Sequence, residues 1–348
     1  MPTGNEHDFI VQWHLTERCN LSCRHCYQTG GRSDELSLHE ITDVVSEAAE
    51  MFGDWAEAYG IGIAPSFTLT GGEPFLRPDL AQVLETIADR GFELFLLSNG
   101  TMIDMERARM LAALGVKGVQ VSIEGPEAVH ERIRGKGSFA AALRGVHYLL
   151  GEGIEVTLNT TLSEVNADSF MRLVSLASAM GVHRLGFSRL VPSGRGAGLL
   201  SDMLDTGRVK RLYTALRSLG TDNLALVSGD PLFSQMAFDA ETGEGGSVAC
   251  GGCAAALSGL TILPDGTVTP CRRLPIPIGN VREDSLRELW AVSPVLEQLR
   301  NRRKYKGKCG RCSRWAVCRG CRAIAYAAAQ ARGSDDFLGE DPQCFLHF

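Results

Sequence analysis

Residues 9–26 read FIVQWHLTERCNLSCRHC, an apolar strand-like run over 9–15 that leads directly into Cys19-Asn-Leu-Ser-Cys23-Arg-His-Cys26. Three thiolates spaced Cys-x3-Cys-x2-Cys on one short loop can hold three irons of a four-iron, four-sulfur cluster, leaving the fourth iron for another ligand. A zinc knuckle uses four ligands in paired spacings, and here it would have to recruit His25. The chain has 348 residues and eleven cysteines; the other eight lie between Cys250 and Cys344, beyond a long cysteine-free stretch. An odd total and an N-terminus without an apolar export core argue against a disulfide scaffold and for metal ligation.

Composition narrows the class. With 44% apolar and 22% charged residues, the chain can bury a sizeable core. A net charge of −6 excludes a polyelectrolyte binder of nucleic acid. No apolar run is long enough to span a membrane, and the N-terminus has no apolar export core, so cytoplasmic residence is expected. Between the cysteine blocks, strand-like runs at 67–69, 93–97, 119–123, 155–160 and 184–188 follow the first. Helical patterns at 37–50, 78–90, 104–114, 139–151 and 166–180 alternate with them. The first has the capping-box pair Ser37 and Glu40, and the others end near Gly91, Gly115, Gly151 and Gly181. Six strands joined by such crossovers imply a parallel α/β sheet curved into a barrel or part-barrel, with functional loops after the strand C-termini.

From about residue 200 the pattern changes. A helix at 205–219 and a strand at 224–227 precede a glycine-rich acidic linker at 239–246. Next come a hairpin, 257–263 and 267–269 about Pro-Asp-Gly, and helical pieces at 285–290, 294–303 and 322–332. We expect a core at 1–200, a bridge at 201–248 and a cysteine-rich domain at 249–348.

The cysteine loop resembles the defining motif of the radical S-adenosylmethionine (SAM) superfamily, and companion motifs follow successive strands in order. Gly71-Gly72-Glu73-Pro74 is similar to the loop that receives the methionine amino group, and Ser98-Asn99-Gly100-Thr101 follows the third strand. Ser122-Ile123-Glu124-Gly125-Pro126 follows the fourth; by resemblance Ser122 reaches the ribose or methionine region and Arg134 the SAM carboxylate. His25 holds the position usually beside adenine, and Glu124 replaces a common aspartate. The resemblance thus implies a partial (β/α)6 barrel with His25, Gly71, Gly72, Glu73, Ser98, Asn99, Ser122, Glu124 and Arg134 as cofactor contacts. It further implies reductive cleavage of SAM to a 5′-deoxyadenosyl radical.

The remaining cysteines run Cys250-x2-Cys253, Gly266-x4-Cys271, Cys309-x2-Cys312-x5-Cys318-x2-Cys321 and Cys344. This resembles the SPASM extension of radical SAM enzymes, a small cysteine-rich domain with a β-hairpin and short helices, although x2 stands where many relatives have x3. The family's interleaved pattern implies one auxiliary cluster on Cys250, Cys253, Cys271 and Cys321, and another on Cys309, Cys312, Cys318 and Cys344. With the first site on Cys19, Cys23 and Cys26 there are three [4Fe-4S] clusters, and every cysteine is used. Zinc in one or both C-terminal sites is the competing reading, since paired Cys-x2-Cys also builds zinc ribbons. Residues 300–332 hold eleven Lys or Arg and no Asp or Glu, which suits anionic clusters or docking of an acidic partner. Where some SPASM peptide enzymes place a basic aspartate after the Gly-x4 cysteine, this chain has Arg272 and Arg273, which suit a substrate carboxylate or cluster neutralisation.

The leading expectation is an oxidoreductase that matures a ribosomally made peptide, served by a low-potential donor such as ferredoxin or flavodoxin. The core begins by Phe9, so leader recognition would fall to a separate protein or to the core itself. A haem-pathway enzyme acting on tetrapyrrole side-chain carboxylates is the alternative; a zinc or electron-transfer scaffold is the non-enzymatic one. No membrane or nucleic-acid partner is expected.

Overall fold

In the computed structural model, which describes residues 6–30, 34–220, 223–237 and 251–346, all six expected strands form. They are β1 (Glu6–His14), β2 (Gly62–Thr70), β3 (Glu93–Ser98), β4 (Gly118–Ser122), β5 (Glu155–Leu162) and β6 (Arg184–Arg189). They pair in parallel in chain order, and β7 (Ala225–Val227) joins at the β6 edge. Period-two alternation gives each strand two faces. In β5, Val156, Leu158, Thr160 and Leu162 are buried, while Asn159 and Thr161 line a cavity on the other face.

The capping box on the first helix (Leu38–Tyr59) forms with both bonds: Glu40 N–H donates to Ser37 Oγ at 3.3 Å, and Ser37 N–H to Glu40 Oε2 at 2.7 Å. The helix runs nine residues past the expected end at 50, because Met51 and Phe52 continue its buried face. Phe52 and Trp55 meet Phe9 of β1 at 5.1 and 5.8 Å between ring centroids, pairs worth about 0.5–1.5 kcal/mol each beyond area burial. Gly151 lies inside its helix, Ser138–Gly151, and Gly153 takes the left-handed turn after it. A helix at Glu127–Arg134 was not expected, since it spans only eight residues and buries only His130 and Ile133.

The hairpin forms as β8 (Gly259–Ile262) and β9 (Thr267–Thr269), with β10 (Gly279–Asn280) beyond it. It does not stand apart. β8 pairs in parallel with β1, so Trp13 faces Leu69 on one side and Ile262 on the other, and one ten-stranded sheet runs β10-β9-β8-β1-β2-β3-β4-β5-β6-β7. The helix Leu286–Val292 docks on the first helix: Leu286 N–H donates to Glu47 Oε1 at 2.7 Å, and Trp290 stacks edge-on to Phe9 at 4.8 Å. The cysteine-rich part keeps a second core around Leu274, Leu296, Leu299, Trp315 and Ile324. The acidic linker at 239–246 and Cys250 lie outside the described residues. Among the described residues no helix is long and apolar enough to cross a membrane.

Candidate functional site

The loop after β1 carries Cys19, Cys23 and Cys26 to one mouth at the C-terminal ends of the strands, where they line an open cavity of about 130 Å³. The loop is clamped from three sides. Gly72 and Glu73 N–H donate to the carbonyls of Thr16 and Arg18 at 2.7 and 2.8 Å. A Cβ on Gly72 would fall against the Arg18 carbonyl oxygen, so the approach requires glycine. Arg24 N–H donates to Ile133 O of the helix Glu127–Arg134 at 2.9 Å. The glycine-rich turn after β6 closes the third side, with Arg195 and Gly196 N–H donating to Gln28 and Cys26 carbonyls.

Cations and donors gather on the thiols. Arg134 Nη1 donates to Cys23 Sγ at 3.7 Å and Asn99 Nδ2 to Cys19 Sγ at 3.9 Å, and the Arg195 guanidinium lines the same cavity as Cys26, whose sulfur raises its pKa. Burial raises the Cys23 thiol above its ordinary range while Arg134 pulls the other way. Among the described residues no three His, Cys, Asp or Glu side chains converge as a single ion would need. Three thiols spread around one mouth, each with a positive or N–H neighbour, fit a cluster whose irons each take one sulfur.

Two expected contacts have been drawn behind the wall. Glu73 is fully buried and does not line the cavity; its Oε1 accepts from Ser98 Oγ and its Oε2 from Asn99 N–H, both at 2.9 Å. Burial pushes its carboxyl up to about 7 despite those donors. Glu124 is likewise buried, with Oε1 accepting from Arg134 Nε at 2.8 Å and facing His25 Nε2 at 3.1 Å. Its Oε2 accepts from Thr160 Oγ1 and Thr161 N–H at 3.1 and 2.9 Å. Burial alone would raise this carboxyl, but the Arg134 guanidinium and His25 hold it well below the usual range. Gly71, Gly72, Ser98, Asn99, Ser122, His25 and Arg134 all line the cavity, and His25 keeps a buried Nδ1 without a partner.

The paired arginines separate. Arg272 lines the same cavity, 5.9 Å over the Tyr27 ring, whereas Arg273 faces a different one, with Cys253, Cys271 and Cys321. There the neighbouring sulfurs raise the buried Arg273 guanidinium pKa further above its ordinary value, against the opposing effect of burial. Cys309, Cys312, Cys318 and Cys344 come together around a third, much narrower cavity. The interleaved groups are thus brought together, apart from Cys250. Sequence reasoning missed Arg195, whose signal was the SGRGAG run after β6, and the cavity-facing Gln120, Asn159 and Thr161, visible only as the polar phase of β4 and β5.

Comparison with known proteins agrees with this geometry. A radical SAM superfamily model matches residues 13–177, and an iron–sulfur cluster-binding domain model, SPASM, matches 253–322. AdoMet-dependent heme synthase of Nitratidesulfovibrio vulgaris is 31% identical, over 96% of this chain and 91% of its own. Mycofactocin maturase MftC of Mycobacterium tuberculosis is 30% identical, over 98% of this chain and 84% of its own. The crystal structure of Streptococcus suis SuiB bound to S-adenosylmethionine shares the fold at a TM-score of 0.73 and 17% identity, over 98% of this chain and 78% of its own. The chain therefore belongs to the radical SAM superfamily, as an enzyme whose barrel continues into an iron–sulfur cluster-binding SPASM domain.

Proposed function

We propose that this enzyme holds three four-iron clusters and uses SAM cleavage to oxidise a ribosomally made peptide. Cys19, Cys23 and Cys26 would hold the cluster that binds SAM. Cys250, Cys253, Cys271 and Cys321 would hold one auxiliary cluster, and Cys309, Cys312, Cys318 and Cys344 the other. The first cluster and SAM together supply a one-electron cleavage of a carbon–sulfur bond, whose radical product removes hydrogen from the substrate. The chain's part is orientation and exclusion of water. Glu124 fixes Arg134 and His25, Glu73 fixes the Ser98–Asn99 turn, and Arg272 presents a cation to the cavity.

The observation that carries the peptide reading is the cavity wall. Gln28, Gln120, Asn159 and Thr161 line it, and among the described residues Leu97 is its one aliphatic side chain. Amide side chains both donate and accept, as a peptide backbone demands; a tetrapyrrole face would call for broad apolar walls. A carboxylate-bearing tetrapyrrole is the second reading, favoured by Arg272 and by the similarity to AdoMet-dependent heme synthases. An external low-potential carrier of the ferredoxin or flavodoxin kind would supply the electron, and a separate protein could present the peptide leader.

Anaerobic reconstitution should give about twelve irons per chain. The reconstituted enzyme is then incubated with SAM, reductant, candidate peptides encoded beside its gene, and carboxylated tetrapyrroles. A peptide mass change matched by 5′-deoxyadenosine supports the first reading; conversion of a tetrapyrrole alone overturns it. Arg272→Ala should leave uncoupled SAM cleavage intact yet lower substrate turnover at least tenfold, and unchanged turnover removes Arg272 from the substrate site.

A further inference from the structure

The cavity framed by Cys309, Cys312, Cys318 and Cys344 contains more than sulfur. Trp315 and Arg319 also line it, 0% and 1% exposed. Trp315 Nε1 and Arg319 Nε and Nη2 are buried donors without a partner in the protein, and Arg319 spends only a long 3.4 Å contact from Nη1 on Ala255 O. Buried N–H groups are rarely left unpaired, and an unpaired guanidinium is the costlier case. The backbone is also strained there. Arg319 has φ +63°, one of two non-glycine residues in the left-handed region among those described, a strained conformation that persists where the surroundings impose it.

A second buried arginine stands beside it. Arg322, 1% exposed, lines the neighbouring cavity of Cys253, Cys271 and Cys321, yet its Nη2 donates to Cys309 Sγ of this one at 3.6 Å. It is anchored by Gly339 O at 2.7 Å and by the Tyr305 ring at 4.9 Å. Gly320, with φ +61°, leaves the space it needs, since a Cβ there would lie 2.7 Å from Nη2. Of the cations in the basic segment, these two are buried, while Arg303, Lys304 and Arg311 face solvent and Lys308, exposed overall, borders the cavity at its rim.

We propose that Arg319, with the Trp315 indole, is the built-in counter-ion and hydrogen-bond donor of the cluster on Cys309, Cys312, Cys318 and Cys344, and that Arg322 forms a cationic partition shared between the two auxiliary sites. The proposal rests on the cluster reading above. A cluster gains one negative charge when it accepts an electron, so a buried cation and N–H donors favour the reduced form and raise its potential. The pair therefore sets this cluster's potential above the value that its four thiolates and the bordering Asp341 carboxylate would give alone.

The test is an anaerobic redox titration of the full-length reconstituted protein, followed by electron paramagnetic resonance without substrate or SAM, with iron counted in each variant. Arg319→Gln should lower the potential of one auxiliary signal by at least the equivalent of a tenfold loss in its reduced-to-oxidised ratio, about 59 mV for one electron. Arg319→Lys should keep most of the wild-type value, and Arg303→Gln, an exposed cation, should leave it unchanged. Loss of one cluster's iron in the glutamine variant, restored in the lysine variant, supports the same role. A glutamine variant with full iron and an unshifted potential overturns it, as does a folded protein in which neither variant holds the cluster. Wild-type protein with only about four irons and no auxiliary signal would instead defeat the cluster reading itself.

Discussion

At the scale of single residues, two buried glutamates do different work from the one the motifs suggest. Glu124 lies behind the cavity wall, where one carboxylate gathers Arg134, His25, Thr160 and Thr161. Glu124→Gln removes the charge that holds Arg134, and we expect 5′-deoxyadenosine formation to fall more than tenfold with the C-terminal iron retained; equal SAM cleavage would exclude the positioning role. His130 supports the same corner. Its Nδ1 accepts from Glu124 N–H at 3.2 Å, and burial, then the charge of Arg134, lower its pKa to about 4. The imidazole is held neutral, so its stabilising effect is complete above the ordinary histidine pKa near 6.5 and is lost as pH falls toward 4. The stability difference between wild type and His130→Asn should therefore narrow between pH 7 and pH 4.5 in thermal melts; a constant difference would contradict this.

At the scale of elements, the C-terminus is tied to the barrel by one buried cation. Arg189, at the end of β6, is 0% exposed and bonds Asp230 at 2.7 Å, Asp341 at 2.8 Å and Gln343 at 2.9 Å. Asp341 in turn accepts from Cys321 N–H at 2.8 Å, so the ion network reaches a cysteine of the cavity that Cys253 and Cys271 also line. Arg189→Leu would leave two buried carboxylates facing each other and should destabilise the protein by about 3–5 kcal/mol. Denaturant melts of Arg189→Leu and of Arg189→Leu with Asp230→Asn measure this, and the second variant should recover part of the loss. Nothing in the local sequence around Arg189, an ordinary strand end, marks it as the centre of such a network.

At the scale of the molecule, the barrel and the cysteine-rich part share a sheet. The β8–β1 seam brings Gly259 against the carbonyl oxygen of Ile10, leaving no space for a side chain. Gly259→Val should pry the seam apart, lowering iron toward the four of the first cluster and the melting temperature with it; full iron and unchanged melting would show the seam to be dispensable. The strands, most helices and the three cysteine-centred motifs were legible because period, capping and spacing are local properties. The hairpin was legible as a hairpin, but its union with β1 was not, since a strand's pattern says which face is buried and not which neighbour it pairs with.

The sequence alone determined the order of the cysteine loop and its companion motifs after successive strands, and the alternating α/β architecture, because thiol spacing and hydrophobic period act over a few residues. Tertiary structure alone decided which of two adjacent arginines faces the cavity, that Glu73 and Glu124 position other groups from behind the wall, and that Arg189, Arg319 and Arg322 are buried. Those outcomes depend on which surfaces meet across long loops, where the balance of burial and charge is set by partners far away in the chain.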